Sequence, residues 1–159
     1  ADGAARKALV TDGAGASTFT GFSGYSLKSD HLFFDPADST TYLWGSLTSL
    51  APTTTGGLAR IVIPVTGVIT NVTGMFEILG VAGSNEASTV SLRLNDTTDT
   101  TLDTVVDMST AFVPTQINKT GLSITVAAGD YVELKWVTPA WVTNPTTVQW
   151  ALNILVEVG

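Results

Sequence analysis

Side chains that carry reaction chemistry are few and scattered in this 159-residue chain. Its single histidine, His31, lies in Lys28-Ser29-Asp30-His31-Leu32, a polar run read as a loop. Serine, aspartate and histidine that follow one another along a chain do not form the geometry of a nucleophilic relay. No Gly-x-Ser-x-Gly elbow supports such a relay either, so His31 reads as a surface or interface residue. Glycoside hydrolysis needs two carboxyl groups a few ångströms apart in a cleft. Only four glutamates are present, Glu77, Glu86, Glu133 and Glu157. Glu133 and Glu157 alternate with apolar neighbours, which places them on a solvent face. Asn95, Asp96 and Asp99 form an oxygen-rich turn of the kind a hard cation such as calcium accepts. The same residue types also favour tight turns for conformational reasons, and EF-hand spacing is missing. Gly13 and Gly15 lack the lysine and helix of a phosphate-cradling loop. With no cysteine at all, thiolate metal sites, thiol nucleophiles and disulfides are excluded. The expectation is a non-enzymatic protein with no catalytic residue, cofactor or resident metal.

The four tryptophans are the most informative side chains. Trp136 and Trp150 fall in phase with apolar strand neighbours, which assigns them to a core. Trp44 ends a short apolar run and fits a core or an interface. Trp141 sits in Pro139-Ala140-Trp141-Val142-Thr143-Asn144-Pro145, where no strand phase hides it. An exposed loop tryptophan stacks on a sugar or plugs a partner's pocket; packing down over the end of a sandwich is the other reading, and the favoured one.

Fourteen acids against seven bases leave a net charge of −7. Seven scattered bases cannot build the basic face that replaces counterions on nucleic acid, and an acidic shell repels anionic lipid. Neither nucleic acid nor membrane is expected as a partner. Apolar residues make up 44% and charged ones 13%, a balance that buries a core rather than leaving a disordered chain. No apolar run approaches the length that spans a bilayer, and no signal-peptide pattern opens the chain, so a soluble protein without an export signal is expected. The opening Ala-Asp-Gly fits a chain that has lost its initiator methionine.

The elements that must position these residues are strands. Threonine, with 26 copies, is β-branched and tolerates water on one face of a sheet. Thr41–Trp44, Leu58–Ile63, Val68–Val81 (with a break near Gly74), Ser88–Leu94 and Leu102–Met108 all read as strands. In the last third, Leu122, Ile124 and Val126 alternate with Ser123 and Thr125, and Ala127-Ala128-Gly129-Asp130 turns the chain. Val132, Leu134 and Trp136 then alternate with Tyr131, Glu133 and Lys135. Val148, Trp150, Leu152, Ile154, Val156 and Val158 share one face of a closing strand. No stretch holds a helical period. Eight or so strands at this spacing predict an all-β antiparallel sandwich of jelly-roll type over residues 25–159, with an immunoglobulin-like sandwich as runner-up. Asn-x-Thr sequons at Asn71, Asn95 and Asn118 are the chance yield of a threonine-rich chain.

Residues 1–24 form a separate unit. Five glycines and few apolar side chains predict an extended N-terminal arm with one short hairpin at Asp12-Gly13. Such an arm is either a disordered tail or a strap docked on a neighbouring subunit through Leu9, Val10, Phe19 and Phe22.

The segments Ser88–Asp99 (STVSLRLNDTTD) and Leu122–Trp136 (LSITVAAGDYVELKW), with the closing strand after them, resemble the jelly-roll heads of bacteriophage virion-surface proteins. Those heads are similar in fold to trimeric tumour-necrosis-factor and C1q domains. The leader Lys7–Gly13 (KALVTDG) with Gly15 resembles the linker that precedes such heads. The resemblance spans about Leu58 to Val158 and that leader. It implies a homotrimeric protein of the virion surface that decorates or reinforces the capsid, with the major capsid protein as its foremost partner. The alternative it implies is a receptor- or glycan-binding tip of a tail fibre, which would present Trp141 to a host-surface glycan or receptor.

Overall fold

The computed structural model describes residues 7–11, 17–21, 24–33, 35–45, 53–80, 87–106 and 109–158. Twelve strands follow one another: β1 (Lys7–Thr11), β2 (Ser17–Gly21), β3 (Gly24–Phe33), β4 (Thr41–Trp44), β5 (Ile61–Val62), β6 (Gly67–Ile78), β7 (Ser88–Leu94), β8 (Thr98–Val106), β9 (Thr115–Lys119), β10 (Ile124–Val126), β11 (Tyr131–Val137) and β12 (Val148–Glu157). β1 and β2 form an antiparallel hairpin of their own. The remaining ten build two antiparallel sheets.

β9 and β10 lie end to end along one side of β6, and β12 and β3 complete that sheet. In the other sheet β4 and β5 lie end to end along β11, followed by β7 and β8. Each sheet therefore has four strand positions. The chain changes sheet at every connection from β3 onward except within these split positions and at the β7–β8 hairpin. That is the jelly-roll winding, two Greek keys wrapped on one core.

Side-chain alternation explains why the sheets face each other. Val148, Trp150, Leu152, Ile154 and Val156 of β12 and Ile69, Val72, Phe76 and Ile78 of β6 meet Val90, Leu92, Val132, Leu134 and Trp136 of the second sheet. The three-residue step from Ile69 to Val72 would break the alternation. A bulge opposite Leu155 and Val156 absorbs the extra residue, so both side chains point inward. All four tryptophans are buried. Trp44 stacks on Trp136 at 5.6 Å and meets Trp150 edge to face at 4.0 Å, and Phe76 closes the cluster 5.1 Å from Trp136.

Several sequence expectations change here. Lys28–Leu32 is not a loop: it belongs to β3, where His31 pairs with Trp150. Hydrogen bonding to β12 overrides a polar sequence at the sheet edge. The strand expected over Leu58–Ile63 shrinks to Ile61–Val62. The break expected near Gly74 is absent, because β6 runs through it. Gly74 is needed for another reason: a Cβ there would run into the carbonyl oxygen of Ala151 on β12. Glu133, expected on the solvent face, is fully buried.

Candidate functional site

The connections β3–β4, β6–β7, β8–β9 and β11–β12 converge at one end of the sandwich, as the winding requires. Hydrogen bonds lace them together. The Ser39 amide donates to the Pro139 carbonyl at 2.9 Å, and the Leu79 amide to that of Thr147 at 2.7 Å. The Phe112 amide donates to the Ile78 carbonyl at 2.8 Å. The Trp141 amide donates to Asp38 Oδ1 at 3.2 Å, and Asn144 Nδ2 to the Pro36 carbonyl at 3.0 Å. Buried Thr138 adds to the lacing, accepting from the Thr40 amide and donating to the Ala37 carbonyl, each at 2.8 Å.

Trp141 points inward from this end. It is 5% exposed, and its ring centroid lies 5.8 Å from that of Trp136. The proline-bracketed loop therefore caps the core with its tryptophan and shows its neighbour Val142, 87% exposed, to the outside. On the β8–β9 connection at the same end, Phe112 is 67% exposed and Val113 56%. Phe112 also holds a φ of 61°, a left-handed conformation that costs a non-glycine residue about 1–2 kcal/mol. Strain of this kind is kept only where neighbours enforce it. Here the Phe112–Ile78 hydrogen bond does so, turning an aromatic ring outward.

The other expected site residues lie apart. Leu9 and Val10 on β1 pair with Phe19 and Thr18 on β2, while Phe22 and the Asp12-Gly13 pair fall outside the described residues. Asn95 and Asp96 are the two central residues of the β7–β8 hairpin, with φ of 49° and 59° and the Thr97 amide bonded back to the Leu94 carbonyl at 3.1 Å. This is a primed turn, which asparagine and aspartate tolerate best after glycine. Asn95 Oδ1 accepts from the Tyr131 amide at 3.0 Å, and its Nδ2 donates to Asp130 Oδ1 at 2.9 Å. Asp99 stands on β8 beside Lys135 and Arg93. Asn95 and Asp99 thus face different protein partners, and the backbone of Asn95 and Asp96 is that of a tight turn. Among the described residues no group of three histidine, cysteine, aspartate or glutamate side chains is arranged to hold a metal.

Sequence reasoning missed a cluster at the opposite end of the sandwich. Glu133 of β11 is 0% exposed because the chain between β4 and β5 crosses over it. Its Oε1 accepts from the Gly57 amide at 2.9 Å and the Ala59 amide at 3.1 Å. Asp96 lies against the same crossing: a Cβ at Gly56 would sit 2.8 Å from Asp96 Oδ1. The Tyr131 hydroxyl donates to Asp96 Oδ2 at 2.8 Å, and the Arg60 guanidinium covers the Tyr131 ring at 4.2 Å. Burial first, and then the Asp96 carboxylate, pushes Glu133 up to about 6. Burial also acts to raise Asp96, but bonding to Glu133 and Tyr131, with the Arg93 charge, leaves it below its ordinary value. The signal in the sequence is the Gly56-Gly57 pair, which allows a backbone to lie against a neighbouring side chain.

The outer face of the first sheet carries a groove of about 490 Å³ between Lys28, Thr73, Met75, Gln116, Ala151 and Asn153. Among the described residues lining it, Lys28 is the only one with a charged side chain.

No family model matches the chain, and no curated protein does. Among solved structures, the crystal structure of FLHE is similar over 86% of this chain and 99% of its own, with 15% identity and a TM-score of 0.46. A chain of the cyanophage Pam1 capsid asymmetric unit is similar over 94% of this chain and 98% of its own, with 16% identity and a TM-score of 0.44. Both are distant likenesses in the arrangement of strands, and no function follows from either.

Proposed function

We propose that this protein is a non-enzymatic structural protein of a bacteriophage virion surface, a homotrimer of jelly rolls that decorates or reinforces the capsid. The observation that carries the assembly role is the loop end of the sandwich. Three large apolar side chains, Phe112, Val113 and Val142, stand out from it on connections that hydrogen bonds hold together. A rigid apolar platform loses little entropy when a partner covers it, which is what a permanent contact requires. The virion setting comes from the resemblance of Ser88–Asp99 and Leu122–Trp136 to phage jelly-roll heads. The partners proposed are further copies of this chain and the major capsid protein, with the arm of residues 1–24 as the attachment strap. The receptor-tip alternative depended on Trp141 as a stacking platform, and both the burial of that ring and its packing on Trp136 speak against it.

Sedimentation equilibrium of the purified protein, followed by co-sedimentation with capsids that lack it, tests the proposal. A trimer that pellets with capsids is expected. Deleting residues 1–22 should leave the trimer and abolish attachment. Val142→Asp or Phe112→Asp should weaken assembly while thermal stability stays near that of the parent. A monomer at micromolar concentration that ignores capsids refutes the proposal.

A further inference from the structure

Among the described residues Glu133 is the only charged side chain that is buried. Its two oxygens have different fates. Oε1 is saturated by the amides of Gly57 and Ala59. Oε2 is buried and meets no donor, and Asp96 Oδ1 is buried in the same condition. The other oxygen of Asp96 is taken by the Tyr131 hydroxyl. Both carboxyl groups meet the backbone at Gly57, whose amide donates to Glu133 Oε1 at 2.9 Å and on which a Cβ would sit 2.9 Å from Asp96 Oδ2. Two carboxylates gathered on one glycine, each with an oxygen shut away from water and from every donor, cannot both carry a negative charge cheaply.

We infer that Glu133 and Asp96 hold one proton between them, and that this proton fastens the β7–β8 turn to β11 and to the crossing between β4 and β5. Every element packed on the pair contributes to its charge. Arg60 comes from the crossing and lies over Tyr131. Arg93 of β7 donates to the Asp96 carbonyl. Tyr131 comes from β11, and its neighbour Asp130 is occupied by the Ala127 amide and Asn95. The two guanidiniums suit a pair with one negative charge. They also disfavour a metal cation in the gap, where only two carboxylate oxygens are open and a hard cation takes six or more.

The two groups titrate in opposite senses. Glu133, raised by burial and by Asp96, keeps its proton in the fold at a pH where the unfolded chain has lost it. Its contribution to stability is complete below its ordinary value near 4.5 and is lost as pH rises through about 6. Asp96, lowered, contributes above its ordinary value and loses that contribution only at lower pH. The clasp is therefore tightest in weak acid, and above about pH 6 the repulsion falls on this end of the sandwich.

The test is a carbon-13 titration of the glutamate carboxyls, only four in number, together with thermal unfolding between about pH 4.5 and about pH 8. We expect one glutamate to titrate well above the others and the melting temperature to fall by several degrees across the same window. Glu133→Gln keeps both amide contacts and donates permanently to Asp96. Its melting temperature should stay flat over that window and exceed the parent's at the alkaline end. Asp96→Asn should return the outlying glutamate toward its ordinary value. If no glutamate titrates above the ordinary range, the inference fails, whether or not either variant folds. It also fails if millimolar calcium at the alkaline end raises the melting temperature of the parent but not that of Glu133→Gln, since a cation would then fill the gap.

Discussion

Trp141→Ala separates a core tryptophan from a binding one. The structure gives the magnitude. A tryptophan side chain removes about 150–250 Å² from water, which at about 25 cal/mol per Å² corresponds to roughly 4–6 kcal/mol for full burial. Trp141 is 5% exposed, so almost all of that applies. Measured tryptophan-to-alanine losses in cores run at about 3–5 kcal/mol, because neighbours relax into part of the cavity. Here Trp136 stands at 5.8 Å, and the loop is tied to Asp38 and Pro36 by the Trp141 amide and Asn144, contacts that an alanine would keep. The loop cannot easily collapse inward, so a loss of about 4 kcal/mol is expected. In a chain of this length each kcal/mol shifts the melting temperature by about 2–4 °C, giving a fall of about 8–16 °C. Urea unfolding should show the midpoint moving with little change in slope. Trp141→Phe should recover more than half of the loss. A melting temperature within about 2 °C of the parent for Trp141→Ala would mean that the ring is not part of the core, and the argument for a capped end would collapse.

Gly74→Ala should destabilise by about 2–4 kcal/mol, since its methyl group meets backbone and not a movable side chain; a neutral result by thermal unfolding would refute the close approach of β6 and β12. Phe112→Gly removes a left-handed strain of about 1–2 kcal/mol but adds about 0.5–1 kcal/mol of chain entropy on unfolding, so stability should be unchanged or slightly higher; under the proposed assembly role, binding to capsids should weaken. A clear fall in its melting temperature would show that the ring packs against the protein. With all four tryptophans buried, intrinsic fluorescence should be blue-shifted in the native protein, resist acrylamide quenching, and move to the red in urea. Strong quenching in the native state would contradict the packing.

Strands whose two faces differ in polarity were legible in the residues alone. Ser88–Leu94 and the closing strand match β7 and β12 because period-two alternation is a direct record of burial on one side. β9 escaped because Thr-Gln-Ile-Asn-Lys has a single apolar side chain; Ile117 reaches the core while the strand is held by its hydrogen bonds to β6. His31 reads as loop from the sequence for a similar reason, since β3 is defined by pairing with β12 more than by its own hydrophobicity. Glu133 exposes the limit of parity arguments. Alternation states which face of the sheet a residue occupies, and Glu133 does face away from the main core. It says nothing of what another segment lays over that face, and the crossing at Gly56–Ala59 does so. Trp141 lies in an irregular loop, which has no phase to show where its ring goes. Only its tertiary ties to Asp38 and Pro36 decide where the ring goes.

The position of β12 between β3 and β6 has a consequence for how the protein is made. β12 follows the other eleven strands in the chain and lies inside its sheet, pairing at once with β3 and with β6. Until β12 has left the ribosome, β3 and β6 have nothing between them, and each shows an unpaired edge to its surroundings. The sheet must therefore wait for β12 and then close contacts between strands far apart in sequence, which places it among slow, high-contact-order folders. Every copy passes through that open interval, so premature termination anywhere before β12 yields a sheet missing its middle and a product fit for degradation or aggregation.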